Sequence, residues 1–508
     1  MFVEHLGYLF DAGLRLAPEK AAVFQDDVVL SFADLDARAD RVAHALTTLG
    51  VRVGDRVALL FQNDWRFFEL LFGALRVGAV VVPLNTKGSD EHLAYCLRDA
   101  SPGVLFCGPG LAGRGARACA EAGVDLRLID VAGETYRQVQ ASEKIAFPRQ
   151  NLPGTAIGLM LYTSGSTGRP KGVLLSHASQ LWNARVMAKA TMVDESDRAL
   201  VAVPLFHKNA LVAAMKPLLL VGGSLVVVDK FEAGSCLAAI ARHRATYLTG
   251  VPAMYQMMLR EKEALLRHDL SSVRYALCGS ADVPESLARE FAAAFNGAPL
   301  AESYGLTEAT NPLANSRFGL LKRGSCGRAV PGGEVRLVPA EPGDPDLGEL
   351  HLRNPGLASG YHGQEALWRE RIPDGWFRTG DLMRRDADGY YYFVGRLDDM
   401  INVAGEKVYP REVERIIAAD EAVAAVVVVA VPHALKGQVP AAFVVPKAGA
   451  SLDPERIRRR FFEGGPAFAY PRHIFDVTEF PLNGAGKPDR RRMAAMAAEL
   501  SAGVPSSS

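Results

Sequence analysis

Residues 162 to 171 read YTSGSTGRPK, a run of hydroxyls and glycines closed by Arg169, Pro170 and Lys171. Glycine lets a backbone come close to a ligand and aim its N–H groups at one point. Around Gly165 and Gly168, the hydroxyls of Thr163, Ser164, Ser166 and Thr167 add neutral donors, and Lys171 adds a cationic one. Such a donor set suits a polyphosphate. Gly/Ser-rich stretches also make ordinary flexible loops, but the ordered string TSGSTG followed by a PKG triplet favours phosphate. It is not a Walker loop, which spaces its glycines more widely and places Ser or Thr directly after the lysine.

Further strings carry residues of the same kind. In SYGLTEAT (303 to 310), Tyr304 can stack on a base and Glu308 can hold Mg²⁺, which prefers oxygen ligands and bridges phosphates. A structural tyrosine and a surface glutamate are the plain alternative. WFRTGD (376 to 381) sets Asp381 after a turn, where a carboxylate can accept both hydroxyls of a ribose; an aspartate in a β-turn reads the same way. GRLDDM adds Arg396 as a partner for ribose or phosphate. PLNGAGKPDRRRM places Lys487 on a Gly-rich loop, as a mobile catalytic cation or a solvated lysine.

These residues need elements to hold them. AIGLML (156 to 161) and GVLLSH (172 to 177) predict strands on either side of the hydroxyl-rich loop, with a helix over ASQLWNARVMAKA. Upstream, SFADLDARADRVAHALTTLGV (31 to 51) has a polar start, helical apolar spacing and a glycine stop, and DRVALLF reads as a buried strand. Helix and strand then alternate through DWRFFELLFGALRVG, AVVVPLN, DEHLAYCLRDA and GVLFC, and again through SLVVVD, the helix at CLAAIARHR, ATYLTGVP and RYALCGS. This pattern predicts layered α/β architecture with largely parallel sheets. From about 320 to 395 the texture turns to short strands, a smaller β-rich subdomain. A last α/β pattern follows: PREVERIIAAD, AAVVVVAVP, AAFVVP and the basic PERIRRRFF. The domains are therefore expected to be 1–397 and 398–508, with the tail SAGVPSSS unstructured.

The whole chain sets further bounds. A length of 508 residues calls for several domains or subdomains. Lys plus Arg and Asp plus Glu balance at 57 each, so no net field gathers nucleic acid or an anionic membrane. The start, MFVEHLGYLFDAGLRLAPEK, is not that of a secretory signal, and the most apolar region, 200 to 228, is broken by His207, Lys208, Asn209 and Lys216. The six cysteines lack paired short spacings, which fits reduced thiols and a cytoplasmic protein.

Together and in order, these strings resemble the adenylate-forming enzymes, which include acyl- and aryl-CoA synthetases and the adenylation domains of peptide synthetases. The resemblance runs from about Ser31 to Lys487. It implies an α/β fold with a large N-terminal domain of two α/β subdomains and a β-rich one. A small mobile α+β C-terminal domain would rotate about Asp398. It implies that Thr163 to Lys171 wraps the triphosphate of ATP, that Gly279, Ser280, Ala281, Ser303, Tyr304 and Gly305 line the adenine, and that Thr307 contacts phosphate. Glu308 would hold Mg²⁺, Asp381 and Arg396 the ribose, and Lys487 would reach the α-phosphate and the substrate carboxylate. After rotation, the NVAGEKVYP loop would replace Lys487, with Gly405 lining the tunnel for coenzyme A. Relatives commonly read Gly-Gly-Glu there; Ala404 adds a methyl that narrows the tunnel.

The implied reaction is acid adenylation followed by thioester formation, with no Ser or Cys nucleophile required. A carrier-protein acceptor and a non-catalytic nucleotide-binding relative are the alternatives. PLFHKNALV (204 to 212) is where relatives place a gate beside the acyl site, a role for His207. Phe206 and His207 offer no carboxylate for an amino acid's ammonium group. Lys208, Asn209 and Asn311 can give the pocket a polar end, while VPAMYQMML suits an aryl or medium-chain aliphatic tail. Expected partners are this small carboxylic acid, ATP and coenzyme A, and a homodimer stays open.

Overall fold

The computed structural model describes residues 5–143, 145–164, 169–279, 283–315, 321–339, 344–433, 435–447, 449–482 and 488–502. The chain divides into two compact units: 1–335, 352–377 and 387–391 form the first, and 336–351, 378–386 and 392–508 the second.

In the first unit, the segment predicted as a helix over 31 to 51 is one, at Phe32–Thr48. Ser31 caps it: its hydroxyl accepts from the Asp34 N–H, and the Asp34 carboxylate accepts from the Ser31 N–H, so two otherwise orphaned donors are satisfied. Phe32, Leu35, Ala39, Val42 and Leu46 then recur at helical spacing and are buried. Phe32, Leu35, Val42 and Leu46 each contribute about 1.5–3 kcal/mol on burial. The partner is the helix Arg66–Val77, where a Cβ on Gly73 would come within 2.8 Å of the Ala39 carbonyl, so only glycine permits this approach. Arg76 on that helix is wholly buried, its guanidinium 2.7 Å from Asp36 and 2.5 Å from Asp40. Two carboxylates make a buried cation tolerable.

Among the described residues, seven strands form one sheet of this unit, in the order Gly360–Tyr361, Pro170–Ser176, Ile157–Ser164, Val80–Leu84, Arg56–Leu60, Val104–Cys107, Arg127–Asp130. From Ile157–Ser164 onward the neighbours are parallel. Val80–Leu84 is buried at every position, as a strand covered on both faces must be. A second sheet of nine described strands runs through Leu300–Leu306, Tyr275–Gly279, Tyr247–Gly250, Arg198–Val201 and Ser224–Val227, all parallel. The two alternating α/β series expected from the sequence are these two sheets.

The β-rich segment contributes a four-stranded sheet in the order Glu334–Pro339, Leu347–Arg353, Phe377–Arg385, Tyr391–Arg396. The second unit also holds a five-stranded sheet around the long pair Val423–His433 and Gly437–Pro446. Val428, Val439, Val444, Ile457 and Phe461 fill its core, closed by the helices Pro410–Ala418 and Pro454–Gly464. One expectation fails: the helix Arg490–Ala502 includes Ser501 and Ala502, so the stretch read as an unstructured tail begins in a helix. Met493 and Ala497 are buried against Val427, Val429 and Phe443, and this packing outweighs the polar composition. Among the described residues, no helix is long and apolar enough to cross a membrane.

Candidate active site

The two described ends of the hydroxyl-rich string pair antiparallel, with Thr163 opposite Lys171 and Ser164 opposite Pro170. Gly165, Ser166, Thr167 and Gly168 lie outside the described residues, as do Ser280, Ala281 and Lys487. The hairpin is anchored below. The Tyr162 hydroxyl donates to Asp99 Oδ2 at 2.6 Å, and Ser176 caps the helix His177–Thr191. A Cβ on Gly172 would overlap Met160 and reach 3.3 Å from His362, which accounts for glycine directly after Lys171.

Lys171 is buried and its ammonium lies 5.2 Å from the centre of the Tyr361 ring. The Tyr361 hydroxyl donates to Glu308 Oε1 at 2.8 Å. Two candidates that stand 137 positions apart in sequence, Lys171 and Glu308, are thus joined by a residue sequence reasoning missed. Main-chain bonds tie the same region: the Ala358 N–H donates to the Glu308 carbonyl at 2.7 Å and the His362 N–H to the Gly172 carbonyl at 2.7 Å. The signal for Tyr361 was weak, a two-residue strand whose partner is far along the chain.

Glu308 stands in the turn between Leu300–Leu306 and Thr310–Ala314, near Thr307, which is partly exposed. Ser303 pairs with Gly279 across parallel strands, and Tyr304 is buried. Thr310 follows at φ +59, a left-handed conformation that is rare for a β-branched residue and costs on the order of 1–3 kcal/mol. Its carbonyl accepts from Lys208 Nζ at 2.8 Å. A Cβ on Gly305 would collide with the Lys208 ammonium and the Thr310 carbonyl, and would lie 2.5 Å from Asn311 Oδ1. Gly305, Lys208 and Asn311 therefore form one wall. His207 Nδ1 accepts from the Asn209 N–H at 3.3 Å, and Asn209 Oδ1 accepts from Thr249 Oγ1.

In the second unit, Asp381 is buried with its carboxylate 3.6 Å from the Arg396 guanidinium, which is 3.9 Å from Asp398. Thr379 Oγ1 accepts from the Asp381 N–H at 3.0 Å and donates to the Leu350 carbonyl at 2.7 Å, fixing the TGD turn. Ala404 and Gly405 make the two-residue turn between Ile401–Val403 and Glu406–Val408, and the Gly405 N–H donates to Asn402 Oδ1 at 2.8 Å. Around the loop that carries Lys487, Leu482 bridges to Pro488 and the Asp489 N–H donates to the Pro481 carbonyl at 2.8 Å. All six cysteines are free. Burial pushes the Cys107 and Cys236 thiols up to about 12, so neither supplies a thiolate near neutral pH.

Residues 10–362 match the AMP-binding enzyme family, and residues 412–487 match the AMP-binding enzyme C-terminal domain. The chain belongs to the AMP-binding enzyme family. A feruloyl-CoA synthase of Amycolatopsis sp is 36% identical over 495 residues, which cover 93% of this chain and 95% of that protein. The anthranilate CoA ligase AuaEII in complex with anthranoyl-AMP superposes with a TM-score of 0.90 at 27% identity, covering 98% of both chains. ATP-bound MatB from Rhodopseudomonas palustris gives 0.88 at 29% identity, covering 97% of this chain and 99% of that one. The mixed α/β class, with a large N-terminal and a small C-terminal part, is that of these AMP-binding enzymes.

The residues present fit a magnesium ion held jointly with phosphate. Glu308 presents one carboxylate, with Oε1 taken by Tyr361, and no group of three or more His, Cys, Asp or Glu among the described residues forms a cage by itself. Mg²⁺ is commonly bound through one or two carboxylates plus substrate phosphates.

Proposed function

We propose that the protein is an ATP-dependent carboxylic acid:CoA ligase acting on an aryl or medium-chain aliphatic acid. The observation that carries the proposal is the junction of Lys171, Tyr361 and Glu308, where a cation from the hydroxyl-rich hairpin and a carboxylate face one small region. Lys171 and the donors from Thr163 to Gly168 bind the β- and γ-phosphates, and Thr307 adds a hydroxyl. Asp381 and Arg396 bind the ribose, while Gly279, Ser280, Ala281, Ser303, Tyr304 and Gly305 line the adenine. Mg²⁺ at Glu308 supplies charge neutralisation on the phosphates.

A carboxylate oxygen of the acid bonds to the α-phosphorus, and the bond from that phosphorus to the pyrophosphate oxygen breaks. Lys487 holds the two negatively charged reactants together and stabilises the charge that accumulates between them, a matter of positioning and electrostatics. The thiol sulfur of coenzyme A then bonds to the acyl carbon, the bond from that carbon to the phosphate oxygen breaks so that AMP leaves with the oxygen, and the thiol proton passes to solvent. The C-terminal domain, residues 398–508, turns about Asp398 between these steps, exchanging the Lys487 loop for the Ala404–Gly405 turn. Relatives named for ferulate and anthranilate support an aryl acid, with His207, Lys208 and Asn311 at its pocket. Six free thiols support a cytoplasmic setting.

Lys487→Ala separates the half-reactions. The variant should lose at least about a hundredfold in acid-dependent pyrophosphate release, a few kcal/mol of electrostatic stabilisation, while converting preformed acyl-adenylate to thioester at a near wild-type rate. Unchanged pyrophosphate release would contradict the role of Lys487.

A further inference from the structure

Tyr361 touches both charged groups of the phosphate region with different parts of one ring. Its hydroxyl donates to Glu308 Oε1 at 2.8 Å, and its face carries the Lys171 ammonium 5.2 Å from the ring centre. The side chain is 3% exposed and packs edge-on against Trp368, centroids 5.2 Å apart at 88°. The backbone is fixed as firmly. Gly360 and Tyr361 pair with Leu174 and Val173 on the strand that carries Lys171, and the Ser359 N–H donates to the Leu174 carbonyl at 2.8 Å.

We infer that Tyr361 is a positioning residue that holds Lys171 and Glu308 apart and in place for the nucleotide and its metal ion. An ammonium and a carboxylate in direct contact would neutralise each other, and phosphate or a metal would have to displace that pair. A phenol between them prevents this. Its ring face meets the ammonium in a contact weaker than an ion pair, and its hydroxyl donates to one carboxylate oxygen, Oε1. The inference rests on the adenylation reading of the site, and it assigns to this chain a residue that none of the sequence strings singled out.

The test uses the full chain, Mn²⁺ as the metal and a non-hydrolysable α,β-methylene ATP as the nucleotide, with free Mn²⁺ read by electron paramagnetic resonance. Wild type should bind Mn²⁺ in a nucleotide-dependent manner, and Glu308→Gln should abolish this. Tyr361→Phe keeps the ring and loses the hydroxyl: its Mn²⁺ affinity in the presence of nucleotide should fall about tenfold, as expected for a hydrogen bond to a charged group. Its affinity for the nucleotide without metal should stay within about twofold, because the ring still faces Lys171. Tyr361→Leu should weaken both. Equal Mn²⁺ binding by Tyr361→Phe and wild type would overturn the inference, and so would parallel losses of metal and nucleotide affinity, the mark of simple packing damage. If wild type shows no nucleotide-dependent Mn²⁺ binding, or if Glu308→Gln retains it, the adenylation reading of the site fails first and the inference with it.

Discussion

Lys216 sits wholly buried on the helix Lys216–Val221, directly after the wide π-helical turn Ala210–Met215 that follows His207, Lys208 and Asn209, and it donates to the Gln180 carboxamide. Burial lowers its pKa from 10.5 to about 7. The unfolded chain keeps this proton to about pH 10.5 and the folded chain only to about 7, so between these values the unfolded state binds more protons and stability rises with pH. The slope from this group is about 1.4 kcal/mol per pH unit. Lys216→Met removes the buried ammonium, so the variant should be the more stable protein at pH 7, with its advantage shrinking by about 2–3 kcal/mol by pH 9. Urea unfolding of both proteins at the two pH values checks this. A constant gap would mean that Lys216 keeps its proton throughout.

At the scale of elements, the turn between Ile401–Val403 and Glu406–Val408 needs positive φ at both central residues, +52 at Ala404 and +97 at Gly405. A left-handed alanine costs about 1–2 kcal/mol, and glycine there adds back about 0.5–1 kcal/mol of chain entropy. Ala404→Gly should therefore stabilise the protein by roughly 0.5–1 kcal/mol. A lowered urea midpoint would contradict strain at this turn. The sequence revealed the departure at Ala404 but not its backbone angle. Much of the rest of the elements was legible: Ser31 with Asp34, and Ser176 before the helix His177–Thr191, are local capping signals. Tyr361 was not, because its meaning comes from a strand pairing with Val173 and a hydrogen bond to Glu308, both far along the chain. Lys216 was read only as a break in an apolar stretch, since periodicity does not say that a lysine is buried. The strained Thr310 behind Glu308 had no local signature either.

For the molecule as a whole, the ordered strings proved more informative than composition. A balanced net charge excludes a field for polyanions, yet it is silent about chemistry. The strings run from YTSGSTGRPK to NGAGKPDRRRM, and the family matches at residues 10–362 and 412–487 cover most of that stretch. The central claim is that this chain joins a carboxylic acid to coenzyme A through an acyl-adenylate. The most direct measurement incubates the protein with ATP, Mg²⁺ and a panel of aryl, aliphatic, dicarboxylic and amino acids, with and without coenzyme A, and identifies every product by mass spectrometry. The account predicts acid-dependent pyrophosphate in both arms, acyl-adenylate alone without coenzyme A, and AMP with an acyl-CoA thioester when it is present, strongest for aryl or medium-chain acids. Adenylate that never becomes thioester would contradict coenzyme A as the acceptor, and no acid-dependent pyrophosphate across the panel would contradict the account itself.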